Sequence, residues 1–284
     1  SPRWCALNLV PPAPLWGAAG ASAIVVLLAW RSGALSGSGA LAAWLVGVAA
    51  MSQSWGCGAF LIIWFVLSSV LSRVGRHRKA ERTLGMVAKG DRRDWSQVFA
   101  NGAVFGVAAA TLGLHATGWL PLAVAPEVIA IGGTSALVSA GADTWATELG
   151  TLVGGRPWSL RERRRVDVGS SGAITAVGTL ATVVGAGTLS VIASMFDVIP
   201  RDAVLVVAVS GVVASAVDTL LGAWWQQRRW CPRCNTATEQ MGHFCGTHTV
   251  LVGGLRALPN DAVNFACTAS GAVLAMAIWL VRQP

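Results

Sequence analysis

The sequence predicts an all-α integral membrane protein, a polytopic bundle of about eight transmembrane helices, and three observations predict it. Of its 284 residues, 54% are hydrophobic and only 12% are charged, roughly half the charged fraction of a soluble domain. It contains 33 glycines, and small residues let helices approach closely in lipid. Tyrosine is absent, but 14 tryptophans can form the aromatic belts at the membrane surfaces.

The hydrophobic stretches define the candidate spans, because a helix that crosses a bilayer needs ~20 apolar residues. Six or seven spans, or a re-entrant pair, are alternatives to eight. We predict one transmembrane domain over residues 1–284, interrupted by a zinc-ribbon-like cytoplasmic loop at 225–258. The candidate spans are 14–30, 35–52, 56–73, 98–116, 121–142, 170–195, 203–224 and 262–281.

Basic residues lie mainly on one side of the predicted bundle. Every lysine and arginine except Arg3, Arg201 and Arg282 falls on that side, which the positive-inside rule makes cytoplasmic. We therefore expect an inner or plasma membrane protein with its active site on the cytoplasmic side. For the run Arg76–Arg82, topology and contact with anionic lipid are one explanation and a functional role is the alternative, whereas the first explanation fits less well from Lys89 onward.

Two similar runs each place an aspartate near the end of a span. They are Ser139–Thr144, which contains Asp143, and Ala214–Thr219, which contains Asp218. A carboxylate at membrane depth costs roughly 3 kcal/mol unless it faces protein or water, so such acids usually serve a function. The similarity indicates an internal repeat, and a chance match between alanine-rich helices is the alternative.

Glu148 follows Asp143 by five residues, so a straight helix turns it about 140° away. The two acids can bind one ion only if the helix ends or bends here, and Gly150 is a candidate end. The alternative is a cytoplasmic helix end that carries solvated acids.

The run Lys89–Gly102 is basic and polar and leads into a helix. Asp94 can cap that helix, since its side chain accepts hydrogen bonds from free backbone N–H groups. Gln97 and Asn101 share one helix face and serve either as interhelical hydrogen-bonding groups or as the polar wall of a site. In a site, cationic side chains would bind phosphate oxygens. The candidates are Lys89, Arg92 and Arg93.

Two further polar segments flank predicted spans. The turn Gly169–Ala173, which contains Ser171, either offers N–H groups to a phosphate or simply enters the next helix, and the sequence has no P-loop pattern. Asn260 and Asn264 lie one helical turn apart, with Asp261 between them. Capping would explain the first asparagine but not the second, which lies deeper in the span.

Three cysteines and a histidine match the spacing of a zinc ribbon, CxxC-x10-CxxH. The candidate ligands are Cys231, Cys234, Cys245 and His248, with His243 as an alternative to His248. Because the loop is predicted to be cytosolic, disulfides are disfavoured, and a redox pair is the remaining alternative. We predict a structural Zn²⁺ that takes no part in catalysis.

Five of these segments, in this order, resemble one integral-membrane family, domain-of-unknown-function family 92. The family is similar to human transmembrane protein 19 and includes plant phytyl-phosphate kinase. The resemblance covers roughly residues 34–281, and Ser171 stands where the family often has Asn. The segments are Lys89–Gly102, Asp143–Gly150, Gly169–Ala173, Asp218–Gly222 and Asn260–Phe265.

The resemblance implies phosphoryl transfer from a nucleoside triphosphate, CTP or ATP with CTP expected, to an isoprenyl monophosphate such as phytyl or geranylgeranyl phosphate. Mg²⁺ prefers oxygen ligands, including one or two carboxylates. We expect Asp143, Asp218 and Glu148 to bind it, with Asp261 as a further catalytic acid. The expected partners are the nucleotide, the prenyl lipid and the membrane, without nucleic acid, and a homo-oligomer is left open. Substrate and phosphate binding is assigned to Lys89, Arg92, Arg93, Gln97, Asn101, Ser171, Asn260 and Asn264.

A function of another class is ion or solute transport, in which the repeats around Asp143 and Asp218 form paired halves of one central site. A transport site would be reachable from both faces of the membrane, whereas an enzyme site would open to the cytoplasm and contain the arginines. A related prenyl-lipid nucleotidyl- or phosphotransferase is a third alternative.

Overall fold

The computed structural model describes residues 14–83, 92–238, 241–243 and 245–282, so the predicted phosphate-binding residue Lys89 lies outside the described residues. The described chain is a helical bundle with two small sheets. Its helices are α1 (Leu15–Arg31), α2 (Gly37–Gln53), α3 (Trp55–Arg73), α4 (Arg76–Thr83), α5 (Trp95–Ala116), α6 (Pro126–Val153), α7 (Ala176–Met195), α8 (Val204–Trp224) and α9 (Asn260–Arg282). Its strands are β1 (Trp158–Ser159), β2 (Ala173–Ile174), β3 (Arg228–Cys231), β4 (Thr236–Thr238) and β5 (Val250–Gly253).

Five helices among the described residues are long and apolar enough to cross a membrane: α3, α5, α7, α8 with the short turn before it, and α9. The helices α1 and α2 have 17 residues each, and α6 has 28. The predicted membrane bundle is therefore confirmed, whereas the predicted number of about eight spans is not.

Helix α6 is the axis of the bundle. It packs against α3, α4, α5, α7, α8 and α9, and all residues from 131 to 142 are buried. Small residues permit these close contacts: a Cβ added at Gly133 would lie 2.5 Å from the Cβ of Ala108, and one at Gly141 would collide with Leu189. The helix continues past the predicted end of its span at residue 142, which places Asp143 inside a continuous helix.

The basic helix α4 donates hydrogen bonds to the free carbonyl groups at the C-terminal ends of two neighbouring helices, α3 and α6. Lys79 Nζ donates to the carbonyl oxygens of Leu71 and Ser72 at the end of α3, at 2.9 and 2.8 Å. Arg82 donates to the carbonyl oxygen of Leu152 near the end of α6, at 2.6 Å. The last carbonyls of a helix lack partners within it and attract cations. This basic run therefore makes specific contacts inside the protein.

The chain between α8 and α9 forms an antiparallel sheet in the order β4-β3-β5. Two backbone hydrogen bonds join the segment that enters this sheet to the segment that leaves it. They run from Gln227 N to Leu258 O at 2.9 Å and from Leu255 N to Trp225 O at 2.8 Å. The sheet is therefore anchored directly beside the end of α8 and the start of α9.

The predicted Gly/Ser turn packs on the end of α8. Gly169 and Gly172 have φ angles of 96° and 69°, a region that favours glycine. A Cβ added at Gly172 would lie 2.2 Å from the backbone nitrogen of Ala223. Strand β2 and the capping residue Thr175 separate this turn from α7, so the predicted start of that span at residue 170 is wrong by several residues.

Replacing Gly172 with alanine should destabilise the protein, because its Cβ meets the α8 backbone and an L-residue in this conformation costs about 1–2 kcal/mol. The detergent-solubilised G172A variant should lose its native gel-filtration peak at a lower temperature than the wild type. The control is G187A, since nothing lies within 4 Å of a Cβ added there and alanine favours the helix. Equal thermal stability of the two variants would contradict this packing.

Candidate functional site

A polar cavity of about 890 Å³ lies at one end of the bundle. Its walls come from the C-terminal ends of α3, α6 and α8, from the N-terminal ends of α5, α7 and α9, from α4, and from the Gly/Ser turn. Arg92 and Asp261 do not line it. The predicted site residues that do are Arg93, Gln97, Asn101, Asp143, Glu148, Ser171, Asp218, Asn260 and Asn264.

The two aspartates of the similar runs lie close together in the cavity wall. Helices α6 and α8 pack against each other, and Ser215, one turn before Asp218, donates its hydroxyl to Asp143 Oδ1 at 3.1 Å. Cys267 on α9 is buried near both carboxylates. Both aspartates are half-buried and line the same cavity, so one ligand in the cavity could contact both.

Glu148 makes contacts of its own at another part of the wall. Its Oε1 accepts from Ser72 Oγ at 2.6 Å and its Oε2 from Lys79 Nζ at 2.5 Å. The Lys79 and Glu148 side chains are only 10% and 21% exposed. Because α6 continues past Gly150 to Val153, the five-residue spacing keeps Glu148 and Asp143 on different faces of one helix. Glu148 therefore reaches the cavity as half of an ion pair.

Arg93 is held at the edge of the cavity. Its carbonyl oxygen accepts from Ser36 N at 3.0 Å, and its guanidinium lies over the Trp64 and Phe65 rings, at 5.7 and 5.4 Å from their centroids. Burial lowers the pKa of the guanidinium to about 10, and the charge of Glu148 opposes this shift. Arg93 therefore remains cationic at neutral pH.

The start of α5 confirms the predicted capping by Asp94. Asp94 Oδ1 accepts from Gln97 N at 3.0 Å, and Gln97 Oε1 accepts from Asp94 N at 3.1 Å, which is a capping box. The Asn101 amide donates to Gln97 O at 2.9 Å. Ser96 Oγ donates to Asp261 Oδ2 at 2.6 Å, so Asp261 ties the start of α9 to the start of α5 beside the cavity.

Sequence reasoning assigned no site role to three cations that also line the cavity, namely Arg73, Arg76 and Lys79. Topology and lipid contact are one interpretation of the run Arg76–Arg82, which contains Arg76 and Lys79 but not Arg73. The signal that could have identified them is their position directly after a span, because the free carbonyls at a helix end attract cations.

The cysteine cluster forms in the sheet between α8 and α9, with one change of ligand. The ligand atoms of Cys231, Cys234, His243 and Cys245 all lie within 4.8 Å of one another. The histidine in this cluster is His243, the alternative to His248, because the hydrogen bond from Gly246 N to His243 O, at 2.8 Å, folds His243 back onto Cys245.

The dimensions and charge of the cluster fit zinc. Tetrahedral Zn²⁺ with bonds of about 2.3 Å would place its ligand atoms about 3.8 Å apart, and the sulfurs of Cys231 and Cys245 are 3.6 Å apart. Hydrogen bonds from Thr247 and His243 lower the pKa of the Cys245 thiol to about 5, whereas the hydrogen bond with Cys245 raises the pKa of the Cys234 thiol to about 11. A thiolate, the form that binds metals, is therefore present at neutral pH.

We expect purified protein to contain about one Zn²⁺ per chain, since structural zinc sites of this type have four protein ligands. Elemental analysis should show that H243A loses most of this zinc. The matched control is H248A, which removes the other histidine and should retain the metal. Loss of zinc in H248A alone would show that the sequence-based choice of ligand was correct.

The ion pair between Lys79 and Glu148 should behave as a coupled unit. Removing one member of a largely buried pair costs about 3–5 kcal/mol, because the other charge is left uncompensated. K79M and E148Q should therefore each lower the temperature at which the detergent-solubilised protein loses its native gel-filtration peak, and the double variant should recover part of the loss. Additive losses in the double variant would show that the two residues act independently.

Comparisons with known proteins agree with this architecture. The sequence profile of the integral membrane protein family DUF92 matches residues 20–272. Protein PGR of Arabidopsis thaliana is 26% identical over 261 residues, 86% of this chain and 88% of that protein. An uncharacterized membrane protein of Methanocaldococcus jannaschii is 28% identical over 170 residues, 59% of this chain and 64% of that protein. No solved structure matches the chain. The family match includes α2 to α8 and most of α1 and α9. The chain therefore belongs to the DUF92 family of integral membrane proteins.

Proposed function

We propose that the protein is a Mg²⁺-dependent kinase that transfers a phosphoryl group from a nucleoside triphosphate, with CTP as the first candidate, to an isoprenyl monophosphate such as phytyl or geranylgeranyl phosphate. The observation that carries this proposal is the polar cavity, in which the carboxylates of Asp143 and Asp218 share one space with several cations. The resemblance of five sequence segments to a family that includes phytyl-phosphate kinase supports the same activity.

The charges of the cavity suit two phosphate-bearing substrates. Donor and acceptor are both anionic and repel each other, so their approach needs cations. Arg73, Arg76 and Arg93 line the cavity and would bind phosphate oxygens. We assign to Glu148 the role of holding Lys79 at the edge of the cavity, because both carboxylate oxygens of Glu148 already accept hydrogen bonds, one from Ser72 and one from Lys79.

The aspartates suit a magnesium ion, which is bound by one or two carboxylates together with substrate phosphates. Asp143 and Asp218 are the residues that would hold it, with Ser215 fixing the Asp143 carboxylate. When bound, the ion would neutralise charge on the transferred phosphoryl group.

The chain's own residues would then position the reacting groups. An oxygen of the acceptor phosphate attacks the γ-phosphorus, a new P–O bond forms, and the bond to the β-phosphate oxygen breaks with its electrons. The products are a prenyl diphosphate and a nucleoside diphosphate. Because the acceptor phosphate is already an anion, no strong base is needed. The amides of Asn101, Asn260 and Asn264 line the cavity and would orient the phosphates.

The position of the cavity supports an active site on the cytoplasmic face of an inner or plasma membrane. The basic helix α4 and the arginine-rich segment between α6 and α7 lie at the same end of the bundle as the cavity. The positive-inside rule makes this end cytoplasmic, where nucleoside triphosphates are available.

The test is a purified-protein assay with CTP or ATP and phytyl or geranylgeranyl phosphate, in which diphosphate is measured by mass spectrometry. D143N and D218N should each lower the rate on the order of 10²-fold or more, the scale seen when one electrostatic group of an active site is removed. The control is D202N, an exposed residue outside the cavity, which should retain the wild-type rate. Folded wild-type protein that forms no diphosphate with either donor would contradict the proposal.

Transport is the second candidate, favoured by the repeated aspartate runs on the adjacent helices α6 and α8. Ion or solute flux into proteoliposomes that D218N abolishes, without diphosphate formation, would favour transport over the kinase.

A further inference from the structure

We infer that the apolar tail of the acceptor enters through a narrow groove between α1, α2, α3 and α5, and that the groove binds only the part of the tail nearest the phosphate. This inference rests on the proposed function for the identity of the acceptor. It concerns a second cavity that no step of phosphoryl transfer uses.

The second cavity is chemically different from the first. It has a volume of about 70 Å³ and a lining that is almost entirely apolar. Part of this lining is half-buried, including Ala29, Ala43 and Phe65, so the groove is accessible from the surface of the bundle. Representative side chains of its walls are Val25, Ala29, Val46, Met51, Ile62 and Phe65.

The apolar groove and the polar cavity meet at three shared residues. Arg93, Gln97 and Asn101 line both. The rings of Trp64 and Phe65, which belong to the groove, also lie beneath the Arg93 guanidinium. A cation bound on one side to aromatic rings and open to a polar cavity on the other suits the point where a ligand changes from carbon chain to phosphate.

This arrangement selects one class of ligand. A nucleotide or a metal ion gains nothing from an apolar groove, because burying polar groups there costs free energy. An amphiphile with a phosphate head and a hydrocarbon tail gains from both compartments, since each buried methylene contributes roughly 0.8 kcal/mol. The occupant of the groove is therefore the tail of the lipid whose phosphate lies in the cavity.

The size of the groove limits how much of the tail it can hold. A cavity of about 150 Å³ holds one benzene molecule, so the smaller groove has room for only a few carbons. The remainder of the tail must lie along the outside of α1 and α2, where Leu28, Leu41 and Leu45 are exposed. The protein would therefore recognise the first isoprene unit and tolerate different chain lengths beyond it.

The kinetic test fills the groove and measures the acceptor and the nucleotide separately. A29F and A43F place a ring in the groove and should raise the KM for geranylgeranyl phosphate about tenfold, equivalent to losing about two buried methylenes, while the KM for the nucleotide stays unchanged. The control is A23F, which adds the same ring to an exposed position on α1 outside both cavities. If both groove variants match A23F, the inference is overturned while the proposed function stands.

A photolabelling test needs no turnover. Geranylgeranyl phosphate with a diazirine in its first isoprene unit should label groove residues such as Met51 and Phe65, and a diazirine in the last unit should label mainly detergent or exposed surface. Unlabelled geranylgeranyl phosphate should compete with the first probe, and A29F should reduce its labelling. Specific groove labelling without diphosphate formation would reject the kinase but retain the lipid site. Labelling of the first probe confined to α7–α9 would overturn the site.

Discussion

The enclosure of α6 by its neighbours is the constraint on which the rest of the structure depends. Residues 131–142 of α6 are buried on every side, so their polar groups can bond only within the bundle. The buried Ser135 hydroxyl donates to Gly271 O at 2.9 Å, and that of Ser139 donates to Ser135 O at 2.7 Å. Glycine at the closest contacts lets six helices reach α6 at once. Because the middle of the helix is enclosed, Asp143 directly after it occupies a defined place in the cavity wall.

The ionic contacts around the cavity follow from where helices end. Lys79 and Arg82 occupy the carbonyl ends of α3 and α6, and Lys79 also neutralises Glu148. Elsewhere in the cavity wall, Ser215 on α8 donates a hydrogen bond to Asp143 on α6. The cavity therefore combines cations from α3, α4 and the start of α5 with the carboxylates of Asp143 and Asp218 from α6 and α8.

Much of this organisation could be predicted from the amino-acid sequence. Apolar length and charge placement indicated the membrane bundle, and the repeated runs singled out Asp143 and Asp218 as a related pair. The contacts of Glu148 could not be predicted, because they depend on whether α6 continues past Gly150, which its packing against α7 decides. The choice of His243 over His248 likewise depends on a tight turn, since both residues have acceptable ligand spacing in the sequence. Non-local partners such as Lys79 are decided by tertiary packing.

The backbone of Arg93 is held in place independently of its side chain. Its N–H and C=O are both bonded to the turn between α1 and α2, at 3.0 Å each, and Gly39 leaves space for its carbonyl oxygen. These bonds involve main-chain atoms alone, so they would form with almost any amino acid at this position. The side chain at this position could therefore change while the backbone contacts that hold the start of α5 against the turn between α1 and α2 stay in place.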